Sequence, residues 1–232
     1  LINLFGGRRI RSIIKDGEAS LWFSTYSDLG LVKYNKASGS VKIFTKNEGM
    51  PSDRVRVIYE QQDGTILAAC SGGLAVISNE KVIEIYDDKA GLSNTEILTV
   101  CEGFNGEILA GSDGDGIYVI NSGKIINYGK KDGLGSEVVM RIKKDVTRDI
   151  YWIITSNSIS FMRADGTIET IEKFPYSNNF DLYQDDKDQM WILSSNGIYV
   201  VPTETMLENG EISTVYYNRD NGLACVATAN SY

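Results

Sequence analysis

The sequence predicts an all-β chain made of one repeated, four-stranded antiparallel unit, and three observations carry that prediction. First, the segments "GLVKYNKASGSVKIFTKNEGMPSD", "GGLAVISNEKVIEIYDDKAGLSNTE" and "GDGIYVINSGKIINYGKKDGLGSE" are near-copies, whose Gly marks at Gly49, Gly91 and Gly133 stand 42 residues apart. A further mark falls at Gly222. Second, the short apolar runs "LWFST", "TILAAC", "EILAGS", "YWIITS" and "MWILSS" place Trp22, Leu67, Leu109, Trp152 and Trp191 in register at steps of 45, 42, 43 and 39. Third, each unit holds four apolar runs of about five to seven residues broken by Asp-Gly, Asn-Gly, Ser-Gly or Asn-Glu, the punctuation of tight hairpins.

In the second unit the four runs are "VRVIYEQ", "TILAAC", "LAVISN" and "KVIEIYD", with Asp63-Gly64 as the first turn and Asn105-Gly106 as its counterpart one unit later. Both residue types tolerate the positive φ such turns require. Four strands per forty-odd residues, with no long helical period between them, describe a β-propeller blade better than a β-helix coil or a leucine-rich repeat. The runs "EILAG", "YWIITS" and "MWILSS" are apolar almost throughout, as strands packed on both faces are. Outer runs such as "KVIEIYD" and "IETIEK" alternate and so keep one face wet. Trp22, Trp152 and Trp191 recur at one repeat position, which assigns them to packing between blades rather than to a ligand. The repeats span approximately 11–53, 54–94, 95–136, 137–179 and 180–224 of a single propeller domain over 1–232, forming either a closed five-blade ring or part of a larger one. "RDNGLACVATANSY" reads as the start of a sixth repeat or as the segment that closes the ring.

Composition limits the function. The 232 residues carry a formal charge of −8, which opposes binding to nucleic acid, since that needs a basic footprint. No stretch approaches the ~20 apolar residues of a membrane span, and "LINLFGGRRI" has neither an initiator Met nor a signal-peptide pattern, as expected of a piece excised from something longer. Cys70, Cys101 and Cys225 match no zinc spacing, and the first two sit in predicted strands as small apolar residues. With no histidine in the chain, neither a Ser-His-Asp nor a Cys-His nucleophile system can be built. No metal or cofactor is expected. Carboxylate chemistry stays open through Asp28, Asp53, Asp113, Asp115 and Glu137, although a glycosidase pair must stand about 5 to 10 Å apart. "GSDGDGIY" lacks both the EF-hand ligand spacing and the Lys-Ser/Thr of a P-loop, and reads as a polar turn.

The segments "IIKDGEASLWFSTYSDLGLVKYN", "MWILSSNGIYVV" and "DKAGLSNTEILTV" resemble the two-component regulator propeller repeat, and the resemblance covers roughly residues 11 to 225. It implies the extracytoplasmic, periplasmic or cell-surface sensor domain of a bacterial membrane receptor. Such a domain binds a small polar ligand, often an oligosaccharide, and drives a cytoplasmic histidine kinase or diguanylate cyclase as a homodimer, with the membrane crossed by segments outside this chain. The chain departs from that pattern in two ways. Family members carry many more than five repeats, and the fourth unit is degenerate, with "KFPYSNN" in place of a Gly-Leu mark and Ser158 where a Gly opens the third strand.

In propellers, the loops entering each inner strand and the loops joining the second and third strands crowd around one mouth of the channel. In this chain they supply eight ligand-binding candidates: Tyr26, Arg54, Asn94, Asp113, Glu137, Asn157, Tyr176 and Asn196. Amides and carboxylates would bond sugar hydroxyls, Tyr26 or Tyr176 would stack on an apolar sugar face, and Arg54 would pair an anion. The leading function is ligand sensing. A propeller glycosidase or polysaccharide lyase using paired carboxylates is the alternative, and a protein-interaction scaffold of the WD type, whose Gly-His and Trp-Asp signatures are absent, is the third.

Overall fold

The computed structural model describes residues 2–175, 178–225 and 227. The chain falls into two compact units, Leu1–Asn127 and Tyr128–Tyr232. The first opens with a single helical turn, α1 (Ile2–Phe5), and then builds three four-stranded antiparallel sheets in simple up-and-down order. These are β1 (Ile10–Lys15), β2 (Leu21–Thr25), β3 (Leu31–Tyr34) and β4 (Val41–Phe44); β5 (Val55–Glu60), β6 (Ile66–Cys70), β7 (Gly73–Ser78) and β8 (Lys81–Tyr86); and β9 (Ile97–Glu102), β10 (Ile108–Ser112), β11 (Ile117–Asn121) and β12 (Lys124–Tyr128). The second unit builds two more sheets: β13 (Val139–Lys144), β14 (Ile150–Thr155), β15 (Ile159–Arg163) and β16 (Ile168–Thr170), then β17 (Asn179–Gln184), β18 (Gln189–Ser194), β19 (Ile198–Pro202) and β20 (Val215–Tyr217), with α2 (Thr203–Leu207) between the last two strands.

Within each unit consecutive sheets pack face to face. Trp22, Leu31 and Phe44 of the first sheet share a core with Ile58, Ile66, Ala68 and Ala75 of the second. The second sheet's other face, Leu67, Ala69 and Leu74, meets Ile97, Val100 and Ala110 of the third. In the second unit Trp152, Ile159 and Phe161 lie beneath Leu182, Met190 and Ile192. The near-continuous apolar runs of the sequence follow from this arrangement, since every residue of β6 and β14 is buried. Cys70 and Cys101 are free and buried, which pushes both thiols up.

The crossover from one sheet to the next is a recurring device. Thr45 caps a short 3-10 turn, Lys46–Glu48, accepting from the Asn47 N–H at 3.2 Å while Glu48 accepts from the Thr45 N–H at 2.8 Å. Gly49 ends the turn in the left-handed region. The same turn recurs at Lys130–Asp132 with Gly133 and at Arg219–Asn221 with Gly222. At Gly49 and Gly133 the repeated Gly is therefore the cap after which the chain enters a new inner strand.

A second recurring device is an Asp–Trp hydrogen bond, buried in the first and fourth sheets and half-buried in the fifth. The indole N–H groups of Trp22, Trp152 and Trp191 donate to Asp16, Asp145 and Asp185, each at 2.8 Å. The other oxygen of each Asp takes backbone N–H groups of the hairpin between: Ser20 at 2.7 Å, Thr147 at 2.9 Å and Gln189 at 2.9 Å. Burial pushes the Asp145 carboxyl up, but hydrogen bonds from Thr147, Trp152 and Arg148 outweigh it and leave it below the usual range. The Trp191 indole lowers Asp185, and the Arg148 guanidinium at 2.6 Å lowers Asp188. Groups with depressed folded-state values stabilise the fold above their unfolded values and stop doing so as pH falls through the folded ones. With no histidine to titrate, the thermal midpoint is expected to stay flat between about pH 5 and 8 and to drop steadily below about pH 4. Differential scanning calorimetry across pH 2–8 checks this, and an unchanged midpoint at about pH 3 would refute it.

Candidate functional site

Every inner strand carries a β-bulge just after its first residue. The pairing skips Arg11 in β1, Arg56 in β5, Leu98 in β9, Met140 in β13 and Phe180 in β17. A bulge opposes two residues to one and re-aims the extra side chain. Two residues earlier a second repeat position is fixed by a backbone bond from the loop after the second strand: Tyr26 to Arg9, Ser71 to Arg54, Asp113 to Glu96, Ser156 to Val138 and Ser195 to Asn178. These two positions read Arg9, Arg11, Arg54 and Arg56 in the first two sheets, Glu96 and Leu98 in the third, and Val138, Met140, Asn178 and Phe180 in the second unit. One end of the first unit is thus rich in arginine although the chain is acidic.

The arginines converge on Tyr26. The guanidinium carbons of Arg56, Arg54 and Arg11 lie over its ring at 4.9, 5.5 and 5.6 Å from the centroid. A β-bridge joins Tyr26 to Arg54, and the Tyr26 hydroxyl receives Arg56 Nη2 at 3.3 Å and lies 3.1 Å from Ser71 Oγ. Glu96 closes the cluster, accepting Arg56 Nε at 2.7 Å and Ser71 Oγ at 2.9 Å. Three guanidiniums therefore lie over the Tyr26 ring, an arrangement in which the ring's quadrupole attracts and helps to hold them.

Beside this cluster lies an open cleft of about 330 Å³ lined by Tyr26, Ser27, Asp28, Lys46, Ser52, Asp53 and Arg54. Its two carboxylates have partners in the fold. Asp28 accepts Arg8 at 2.8 and 3.0 Å, a hydrogen bond that holds its carboxyl below the usual range, and Asp53 accepts the Lys46 backbone N–H at 2.7 Å. Its two cations do not: the Lys46 ammonium and the Arg54 guanidinium are exposed and have no carboxylate partner among the described residues.

The remaining candidates fall elsewhere. Asn94 spends its side chain on the Asp113 carbonyl at 2.8 Å and the Glu96 N–H at 2.9 Å, so it braces the loop that carries Glu96. Asp113 is exposed beside it. Both therefore connect to the arginine cluster through Glu96. Glu137, Asn157 and Asn196 belong to the second unit; Asn157 and Asn196 are exposed, and Asn196 takes Ser195 Oγ at 3.3 Å and the Tyr216 hydroxyl at 2.9 Å. Tyr176 lies outside the described residues. Sequence reasoning passed over Arg56, Arg11 and Lys46. The signal was available, because Arg56 stands seven residues after Gly49 where Leu98 and Met140 follow Gly91 and Gly133. No group of three or more His, Cys, Asp or Glu among the described residues is disposed to hold a metal, and no helix among them is long and apolar enough to cross a membrane.

No family model matches the sequence, and no curated protein matches it. Solved structures do. The extracellular domain of the hybrid two component system BT3049 from B. thetaiotaomicron superposes with a TM-score of 0.78 at 20% identity, over 94% of this chain and 30% of that one. A catalytically inactive His-to-Ala variant of virginiamycin B lyase from Staphylococcus aureus, with quinupristin, gives a TM-score of 0.72 at 18% identity over 90% and 70% of the two chains. The Cps50 (Swd1) β-propeller domain of Myceliophteria thermophila gives 0.66 at 12% identity over 91% and 72%. This chain is accordingly an all-β protein of propeller type, and it spans under a third of the receptor domain it resembles.

Proposed function

We propose that this chain is a ligand-sensing, extracytoplasmic part of a bacterial membrane receptor, binding a small polar ligand such as an oligosaccharide at the arginine-rich end of its first unit. The observation that carries the reading is the Tyr26 cluster. Repeat positions that are apolar or amide in the second unit hold arginines in the first two sheets, and three of these, Arg11 and Arg56 at bulges and Arg54 at a β-bridge, lie over one ring beside a cleft whose two cations have no carboxylate partner among the described residues. A cleft with a few convergent polar and charged groups is the form that recognition of a small polar ligand takes. Likeness to an extracellular receptor domain over 94% of this chain supports the same assignment. On this reading the ligand's signal passes through segments outside the chain to a cytoplasmic histidine kinase or diguanylate cyclase, with two copies of the receptor paired.

An enzymatic reading has less support. The lyase variant is inactivated by loss of a histidine, and this chain has none. The cleft's two carboxylates are already bonded to Arg8 and to the Lys46 backbone, which suits neither of them to general acid or base work. Thermal unfolding against a panel of oligosaccharides, with each sugar recovered for mass spectrometry, separates the readings. Ligand at ~100 times Kd adds about 2.7 kcal/mol. At roughly 2–4 °C per kcal/mol for a chain of this size, the shift is easily seen. A shift with the sugar intact is expected. A shift with cleaved product would make it an enzyme.

A further inference from the structure

We infer that the Lys46–Arg54 cleft takes the acidic group, a carboxylate or a sulfate ester, of an acidic saccharide. The inference rests on the sensing role proposed above and names the ligand class of that same site. Arg8, Arg11, Arg54, Arg56 and Lys46 gather here against Asp28, Asp53 and Glu96, so this end is locally cationic in a chain whose formal charge is −8. Arg8 is taken by Asp28 and Arg56 by Glu96. With Asp28 so paired, the lining cations Arg54 and Lys46 stand against one carboxylate, Asp53, whose bond is to a neutral backbone N–H, so the lining keeps an excess of one positive charge.

The form of the charge matters as well as its sign. A guanidinium offers a planar fork that grips a carboxylate or sulfate through two parallel hydrogen bonds, which an ammonium cannot do. Tyr26 sits beneath the Arg54 guanidinium at 5.5 Å and is itself pinned by the Arg56 and Ser71 contacts to its hydroxyl, so part of the fork's ordering cost is met before the ligand arrives. Ser27 and Ser52 add hydroxyls to the lining, and the volume of about 330 Å³ lies at the small end of small-molecule sites, suiting one or two sugar rings. A neutral sugar would leave the excess positive charge of Arg54 and Lys46 over Asp53 unanswered. One acidic group neutralises it.

The test is titration calorimetry of the intact chain with three probes: trigalacturonate, carrying carboxylates only; a carrageenan tetrasaccharide, carrying sulfate only; and neutral cellotriose. Binding of one acidic probe and not the neutral one is expected, weakened at high salt because the pair is solvent-accessible. Which acidic probe binds tells carboxylate from sulfate. Arg54→Ala should weaken that binding by about 10-fold or more, Arg54→Lys by less, and Tyr26→Leu by an intermediate factor through loss of the guanidinium's support. Arg54 is exposed, so its variants are not expected to unfold the chain, and far-UV circular dichroism verifies this. Equal binding of cellotriose, or acidic binding indifferent to Arg54→Ala and to salt, would overturn the inference while leaving a sugar sensor in place. Binding of none of the probes, with no shift from any sugar in the thermal panel, would overturn both.

Discussion

Asp145→Ala is expected to destabilise the second unit by about 3 kcal/mol, because a hydrogen bond to a charged group contributes ~1.5–3 kcal/mol and the buried donor left behind costs ~1–3. The carboxylate is buried and receives Trp152 Nε1 at 2.8 Å, the Thr147 N–H at 2.9 Å and the Arg148 N–H at 2.8 Å. Its loss strands the indole N–H of a residue that is itself fully buried at the centre of the unit's core. Asn at this position keeps an acceptor and should cost less than half as much. Thermal unfolding reads the difference, roughly 6–12 °C for the Ala variant, and a shift of under about 2 °C would show that the Asp–Trp bond is incidental.

Gly73→Ala is expected to be more damaging, at about 4 kcal/mol or more, from backbone strain of ~1–3 kcal/mol together with overpacking of ~1–3. Gly73 opens the third strand of its sheet with φ at +130°, and a methyl there would overlap the Tyr86 carbonyl of the neighbouring outer strand. Gly30 faces the Phe44 carbonyl in the same way, and Gly197 the Tyr217 carbonyl. Loss of soluble expression, or a collapse of the urea midpoint, is the expected outcome. A variant with a wild-type midpoint would contradict the geometry.

The fourth sheet shows how the sequence departs from this rule. It has Ser158 where the others have Gly, Ser158 is not among the residues of positive φ, and its Oγ sits where a methyl on Gly135 would overlap it, in a crossover that carries Pro51 and Ser93 in earlier repeats. Ser158 then bonds Thr155 Oγ1 at 2.6 Å.

The strands were legible because hydrophobic period and turn punctuation are local. "VRVIYEQ", "TILAAC", "LAVISN" and "KVIEIYD" correspond to β5, β6, β7 and β8 within a residue or two. The packing role of Trp22 and Trp152 was legible from recurrence alone, and both are buried. Their Asp partners were not singled out, although Asp16, Asp145 and Asp185 accompany Trp where Gln61 and Gly103 accompany Leu67 and Leu109. That correlation becomes meaningful only when the hairpin is seen folding the Asp back under the indole. The site was half legible. Tyr26 and Arg54 are legible as loop residues, yet the bulge that turns Arg56 and Arg11 toward Tyr26 leaves no residue-type mark, and the gathering of guanidiniums over the Tyr26 ring depends on how the first two sheets pack.

Amide hydrogen exchange read by mass spectrometry, with and without the saccharide giving the largest thermal shift, tests the central claim that the arginine-rich end is where ligand binds. Protection is predicted in Tyr26–Asp28, in Lys46–Arg56 and around Ser71 and Glu96, with the Asp63–Gly64 and Asn105–Gly106 hairpins at the opposite end of the strands unchanged. Protection at those hairpins, with Lys46–Arg56 exchanging as in the free protein, would contradict it.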